Sequence, residues 1–314
     1  MNDKKIVCLG TPEFSACVLQ GLIDAKYNII AVVTQPDKPV GRKRILTPTP
    51  VKEVALRHNI DVYQPVSLRK DYEFLKNMDF DMLITAAYGQ ILPQEVLDLS
   101  KVNNINVHAS LLPKLRGGAP IHKSIIDGYD KTGITIMYMD EKMDSGDIIS
   151  QSETIITDTD NLESVHDRLS LMGSELLLDT LPSIIEGSNN RIKQNEEEVT
   201  YAWNIKREEE HIDFSKTRRE VFNLIRGLSP VPGANFLLDN QEMKVYTSII
   251  SEKVFYSTKV GEITGLYKDG IGVNCSDGEI ILTVIKPFGK KKMDAFSYIN
   301  GLQNKESMIG KVLE

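Results

Sequence analysis

The chain has 314 residues, 41% hydrophobic and 26% charged, with a net charge of −7, which suits two soluble globular domains and excludes a uniformly basic nucleic-acid coat. No run of about 18 apolar residues exists to span a membrane, and the apolar run at Ile6–Gly10 is too short for a signal peptide. Cys8, Cys17 and Cys275 are odd in number and lack CxxC or His-rich spacing, which speaks against a disulfide framework or a zinc site and for a reduced, cytoplasmic protein.

Residues 1 to about 190 read as alternating strands and helices. Ile6–Gly10 is a strand, Phe14–Ala25 a helix, Ile29–Val33 a strand and Val51–His58 a helix. Met82–Ala87, Ile105–His108 and Ile134–Met139 are further strand candidates. Strands this continuously apolar are buried on both faces, as in a mostly parallel sheet between helices. The order predicts an α/β, doubly wound, Rossmann-like domain. Ser164–Glu186 is a long helix with Val165, Leu169, Met172, Leu176 and Leu177 on one face, and Gly187 follows it. Residues 191–210 are polar, without periodicity, and read as a linker.

From 211 to the end the pattern changes. Arg219–Gly227 is a short helix, and Met243–Ile250, Gly261–Tyr267, Ile271–Asn274 and Glu279–Lys286 are strands. Lys268-Asp269-Gly270 and Ser276-Asp277-Gly278 supply hairpin turns. A small, mostly β C-terminal domain, a barrel, is expected. From Lys206 onward 16 Lys and Arg meet 15 Asp and Glu, with the cations bunched at Lys290, Lys291 and Lys292. Nucleic acid would therefore meet local patches rather than a general field.

The densest chemical cluster is Asn106–Pro120, NVHASLLPKLRGGAP. Asn106 and His108, two apart on a strand, share a face. Ligands of doubly wound folds sit beyond the carboxyl ends of the strands. An amide can donate to an oxyanion and an imidazole can move a proton, which suits acyl transfer. A hydrogen-bonded structural histidine gives the same pattern. Asp144, in Met143-Asp144-Ser145-Gly146-Asp147, is either an ordinary turn residue or a carboxylate facing His108 from a neighbouring strand end. Arg116, followed by small residues, suits a carboxylate or phosphate, or merely opens a helix. No GxGxxG follows the first strand, which argues against a dinucleotide site.

NVHASLLPKLRGGAP followed by MDSGDI resembles the signature of the 10-formyltetrahydrofolate-dependent formyltransferase family. The resemblance implies Asn106, His108 and Asp144 as the catalytic set and Ser110, Leu111, Leu112 and Pro113 at the folate. It also implies Tyr88, Gly89, Gln90 and Ile91 at the pteridine. The co-substrate it implies is 10-formyltetrahydrofolate, with no metal.

Gln35–Arg44 is a basic run with two prolines and a glycine. Taken alone it is an ordinary charged loop. With Thr47–Lys52 after it, it resembles the inserted loop of the family branch that formylates methionyl initiator tRNA. Arg42 matches that loop's key arginine, and Lys43 and Arg44 add charge for phosphates. Its charge and lack of apolar anchors predict a mobile segment. Ile212-Asp213-Phe214, Pro230–Ala234 and the C-terminal β domain resemble the same branch's OB-like, tRNA-contacting barrel, where Lys290, Lys291 and Lys292 suit phosphate. One departure is Tyr201-Ala202-Trp203-Asn204, where the family commonly has a proline and a lysine after Tyr-Ala. No role passes to Asn204.

The resemblance thus implies formyl transfer to the α-amine of methionine on initiator tRNA, with no membrane and no obligatory protein partner. Formylation of an amino sugar nucleotide and hydrolysis of formyl-folate are the alternatives within the same chemistry. Glycinamide ribonucleotide formylation would match only the first domain. A non-catalytic RNA-binding module would have no need of Asn106, His108 and Asp144 together.

Overall fold

The run Ile6–Gly10 is buried from end to end and lies inside the first sheet. In chain order the computed structural model, which describes every residue except Met1, Asn2 and Arg42, has β1 (Lys5–Gly10), α1 (Glu13–Asp24), β2 (Asn28–Val33), β3 (Lys38–Val40), β4 (Ile45–Thr47), α2 (Pro50–Arg57) and β5 (Asp61–Tyr63). Next come α3 (Glu73–Lys76), β6 (Met82–Ala86), α4 (Gln94–Leu97), β7 (Ile105–His108), α5 (Pro120–Ile126), β8 (Lys131–Tyr138), β9 (Ile148–Ile155) and α6 (Leu162–Glu186). The remainder holds α7 (Arg218–Gly227), β10 (Ala234–Leu238), β11 (Gln241–Ile250), β12 (Ile263–Leu266), β13 (Ile271–Cys275), β14 (Gly278–Lys286), β15 (Met293–Asp294) and α8 (Ala295–Asn300). Two units result, one of residues 1–120, 131–155 and 166–203, the other of 121–130, 156–165 and 204–314.

The first unit is built on a seven-stranded sheet in the order β5-β2-β1-β6-β7-β8-β9. The first five of these strands pair in parallel. The chain winds outward from β1 to β2 and β5, then returns to β6 on the other side of β1. That reversal is the switch point of a doubly wound sheet. β8 and β9 run antiparallel, a change of direction that the apolar run at 134–139 did not signal. The edge strands β5 and β9 also escaped sequence reading. β9 is half wet, alternating half-buried and exposed positions after Ile149, and β5 has only three residues.

The basic run at 35–44 is not a bare loop. β3 and β4 pair as a short antiparallel hairpin. At its base the Asp37 carboxylate accepts from Lys52 Nζ at 2.6 Å and from Gln64 Nε2 at 2.7 Å. The Lys52 contact holds the Asp37 carboxyl below its ordinary range. Lys43 and Arg44 stand exposed between the strands, while Arg42 lies outside the described residues.

The second unit is an antiparallel sheet ordered β10-β11-β14-β13-β12, with β15 on β14. α7 covers it with Val221 and Ile225, which join Phe236, Val245, Val273 and Leu282 in one core. Thr217 caps α7 and exchanges hydrogen bonds with Glu220, a capping box. The expected Asp-Gly turns join β12 to β13 and β13 to β14. Two edges of this sheet are closed by the chain's own tail. The Ile263 amide donates to Lys311 O at 2.8 Å, and the Leu313 amide to Gly261 O at 2.8 Å. On the other edge the Glu314 amide donates to Leu237 O at 3.0 Å. The tail thus bridges β12 and β10, closing the barrel that sequence alone suggested and covering ladders that could otherwise recruit another strand. Leu313 anchors it in the core. Leu313→Ala is expected to cost about 2–5 kcal/mol, read as a lower urea midpoint for the second unit's unfolding transition.

Candidate active site

β7 carries the site. Asn106 pairs in register with Thr85 of β6 and Met137 of β8, and His108 with Thr135. Asn106 is half-buried, and among the described residues its side-chain amide has no hydrogen-bond partner. His108 is 6% exposed. Its Nε2 lies 3.1 Å from Leu115 O, and its Nδ1 lies 3.7 Å from Asp144 Oδ1. Each ring nitrogen therefore faces an oxygen acceptor.

Asp144 does not arrive from a neighbouring strand end. β8 runs against β7, so Tyr138 pairs with Ile105 at the start of β7. The loop after it must return along β7, about 10 Å, to bring Asp144 to His108. Three contacts hold it there. Asp144 sits at φ +52°, in the left-handed region that aspartate tolerates better than most residues. Its Oδ2 accepts from the Gly117 amide at 2.8 Å. Gln194 Nε2 donates to the carbonyls of Asp144 and Gly146, each at 2.8 Å. The carboxylate is thus satisfied at one oxygen and presents the other to the imidazole.

Arg116 is not free for a ligand. It is 3% exposed, and its guanidinium donates to Gln194 Oε1 at 2.9 and 3.1 Å and to Glu196 Oε1 at 2.8 Å. This contact keeps the Glu196 carboxyl below its ordinary range. The backbone of Arg116 also pairs with the 200–202 segment: its amide donates to Thr200 O at 2.9 Å and its carbonyl accepts from Ala202 at 2.7 Å. Residues 191–203, read from sequence as linker, therefore brace the site. Gln194 and Thr200 carry no motif, and their partners lie dozens of positions away, so no local signal marks them.

The Ser110–Pro113 turn is fixed from β8 and β9. Thr135 Oγ1 donates to Ser110 O at 2.6 Å and Gln151 Nε2 to Leu112 O at 2.9 Å. Ser110 Oγ is spent on Lys114 O at 2.7 Å. Leu111 and Pro113 are half-buried and Leu112 is buried. In the Tyr88–Ile91 segment, the Tyr88 ring points into the core beside Phe80 and Leu92, and burial pushes its hydroxyl up to about 12. Gln90 is occupied by the Leu68 amide at 2.8 Å. Gly89 faces open space at φ +84°, and Ile91 is exposed. The segment offers backbone and one apolar side chain. Lys290 and Lys292 of the second unit lie over the rings of Tyr298 and Tyr246, at 5.6 and 4.5 Å, and Lys291 is exposed. Among the described residues no group of three or more His, Cys, Asp or Glu could hold a metal ion, and no described helix is long and apolar enough to cross a membrane.

Residues 4–181 match the family model described as formyl transferase, and residues 204–303 match the formyl transferase C-terminal domain. The chain belongs to the formyl transferase family. A methionyl-tRNA formyltransferase of Staphylococcus aureus strain MW2 is 49% identical over 315 residues, covering 98% of this chain and 99% of that one. The protein of that name from strain Newman is 48% identical with the same coverage. Among solved structures, the sugar 3N-formyl transferase WlaRD, in the presence of dTDP and 5-N-formyl-THF, covers 93% of this chain and all of its own, with a TM-score of 0.68 at 21% identity. The Helicobacter canadensis N-formyltransferase in complex with folinic acid and dTDP-3-aminofucose covers 92% of this chain and all of its own, with a TM-score of 0.67 at 19% identity. At such identities the likeness concerns the fold: a Rossmann-like sheet unit followed by an antiparallel one. In this formyl transferase chain Gly117 stands at φ +126°, and a Cβ there would lie 2.6 Å from Ala202 O. Gly117→Ala is expected to dislodge the Asp144 anchor and lower kcat by about 5- to 150-fold, as backbone strain of about 1–3 kcal/mol implies, with a matching fall in thermal midpoint.

Proposed function

We propose that this chain transfers the formyl group of 10-formyltetrahydrofolate to the α-amine of methionine on initiator tRNA. One observation carries the chemistry: Asn106, an amide donor with no hydrogen-bond partner among the described residues, shares a strand face with His108, whose second nitrogen meets Asp144. Near-full-length identity to proteins named methionyl-tRNA formyltransferase supports the acceptor. The likeness to sugar formyltransferases is at 19–21% identity in the two structures compared and carries no acceptor.

The co-substrate supplies a formyl carbon activated on N10. The methionine amine attacks that carbon, and charge develops on the formyl oxygen. Asn106 Nδ2 donates to that oxygen, a fixed donor aimed where charge appears. His108 adds a second donor when its Nε2–H leaves the Leu115 carbonyl. The bond from carbon to N10 then breaks, and the proton lost by the amine passes through His108 to N10. Asp144 orients the ring and stabilises its charge during the transfer. Formylmethionyl-tRNA and tetrahydrofolate result.

We assign folate to the segments Tyr88, Gly89, Gln90, Ile91 and Ser110, Leu111, Leu112, Pro113, which meet it through backbone and through the exposed or half-buried Ile91, Leu111 and Pro113. Gly89 admits close approach of a flat ring, and Ile91 and Leu111 give it apolar cover. Arg42, Lys43 and Arg44 in the first unit, and Lys290, Lys291 and Lys292 in the second, meet tRNA phosphates. We place the reaction in the cytoplasm, in keeping with three free cysteines.

Asn106→Ala and His108→Ala are each expected to lower kcat by about 10²–10³ in formylation of methionyl initiator tRNA, with folate binding retained. Near-normal turnover in either variant would remove that residue from the chemistry. Replacing Lys43 and Arg44 by serine is expected to flatten the salt dependence of tRNA binding by roughly 0.7–0.9 in log–log slope for each phosphate no longer neutralised. An unchanged slope would take the hairpin out of the interface.

A further inference from the structure

Tyr201 and Trp203 stack on each other in solvent, with ring centroids 5.2 Å apart and planes 7° from parallel. They are 50% and 58% exposed, while Ala202 between them is fully buried. Extended backbone explains the alternation: residues two apart share a face. The segment is clamped on its other side by the Ala202 amide on Arg116 O at 2.7 Å and by Ala202 O accepting from Ala119 at 3.0 Å. The rings are therefore held on the Arg116–Ala119 loop, whose Gly117 amide holds Asp144. Nothing in the chemistry described above uses them. Two large aromatic faces left in water, held rigidly beside an active site, are a stacking surface.

We infer that Tyr201 and Trp203 form the platform for the adenine base at the 3′ end of the acceptor tRNA. This rests on the formyl-transfer reading above. The reacting amine belongs to an amino acid esterified to the terminal ribose. The base of that nucleotide must therefore lie within one aminoacyl group and one ribose of the formyl carbon. The backbone between the two rings packs on that same site: Ala202 O lies against Gly117, whose amide holds Asp144. Charge favours a base over a phosphate. Between Asn195 and Ile205 the segment has Glu196, Glu197 and Glu198 and no Lys or Arg, a local composition that disfavours a phosphate. The pteridine has its own strip at Tyr88–Ile91 and Ser110–Pro113, on the far side of Leu115 in sequence.

Trp203 is the one tryptophan in the chain, so its emission reports on this site alone. The full chain is titrated with two initiator tRNAs, one ending in CCA and one lacking the terminal adenosine. The expected result is quenching by the first and little by the second. Equal quenching by both overturns the proposal, and so does quenching by 5-formyltetrahydrofolate alone after absorption correction, which assigns the rings to the pteridine. In steady state, Trp203→Ala is expected to raise KM for methionyl-tRNA about tenfold or more. The KM for formyl-folate and kcat stay near normal, and Trp203→Phe restores most of the loss. An unchanged tRNA KM in Trp203→Ala overturns the proposal. If the wild-type chain formylates no tRNA, the functional reading falls instead, and the contrast between the two tRNAs still decides the platform.

Discussion

The hydrogen bond from the Gly117 amide to the Asp144 carboxylate joins three parts of the first unit. Asp144 leaves the sheet at the wrong end of β7 for its partner, so its position rests on what grips the loop that carries it back. A carboxylate half out of water requires a donor, and Gly117 supplies one at 2.8 Å. Gln194 fixes the loop's carbonyls, and Arg116 fixes Gln194. With one oxygen committed, the other faces His108.

That constraint explains the residues around it. Gly117 must be glycine because its backbone presses on the Ala202 carbonyl at a dihedral that L side chains avoid. The most cationic side chain of the loop, Arg116, is turned inward as a brace, so recognition of a charged ligand falls to other residues. Segment 191–203 becomes a wall of the site, and its outward face exposes the paired rings of Tyr201 and Trp203. Polar groups buried in this network are satisfied largely by one another, which makes the arrangement rigid and sensitive to the loss of any one member.

Much of the fold was legible because a buried strand has to be apolar throughout. β1, β2, β6 and β7 declared themselves in this way, and the strand ends came within a residue or two. β5 and β9 lie at the edges, where half the side chains meet water, and their composition does not separate them from loops. The hairpin β3–β4 was hidden by charge, since its anchor is the contact of Asp37 with Lys52 and Gln64 rather than an apolar pattern. The closure of the second unit was hidden too. A tail that pairs with two edges at once does so through backbone hydrogen bonds, which any sequence can make.

By itself the sequence determined the doubly wound order, the presence of Asn106 and His108 on one strand face, and the family. These follow from residue identity and short-range periodicity, which are local properties. The tertiary structure alone decided the direction of β8, the return path of Asp144, the burial of Arg116 and the exposure of Trp203. Each depends on contacts across dozens of positions, such as those of the Gln194, Glu196 and Asp144 side chains, which no local pattern in the sequence marks.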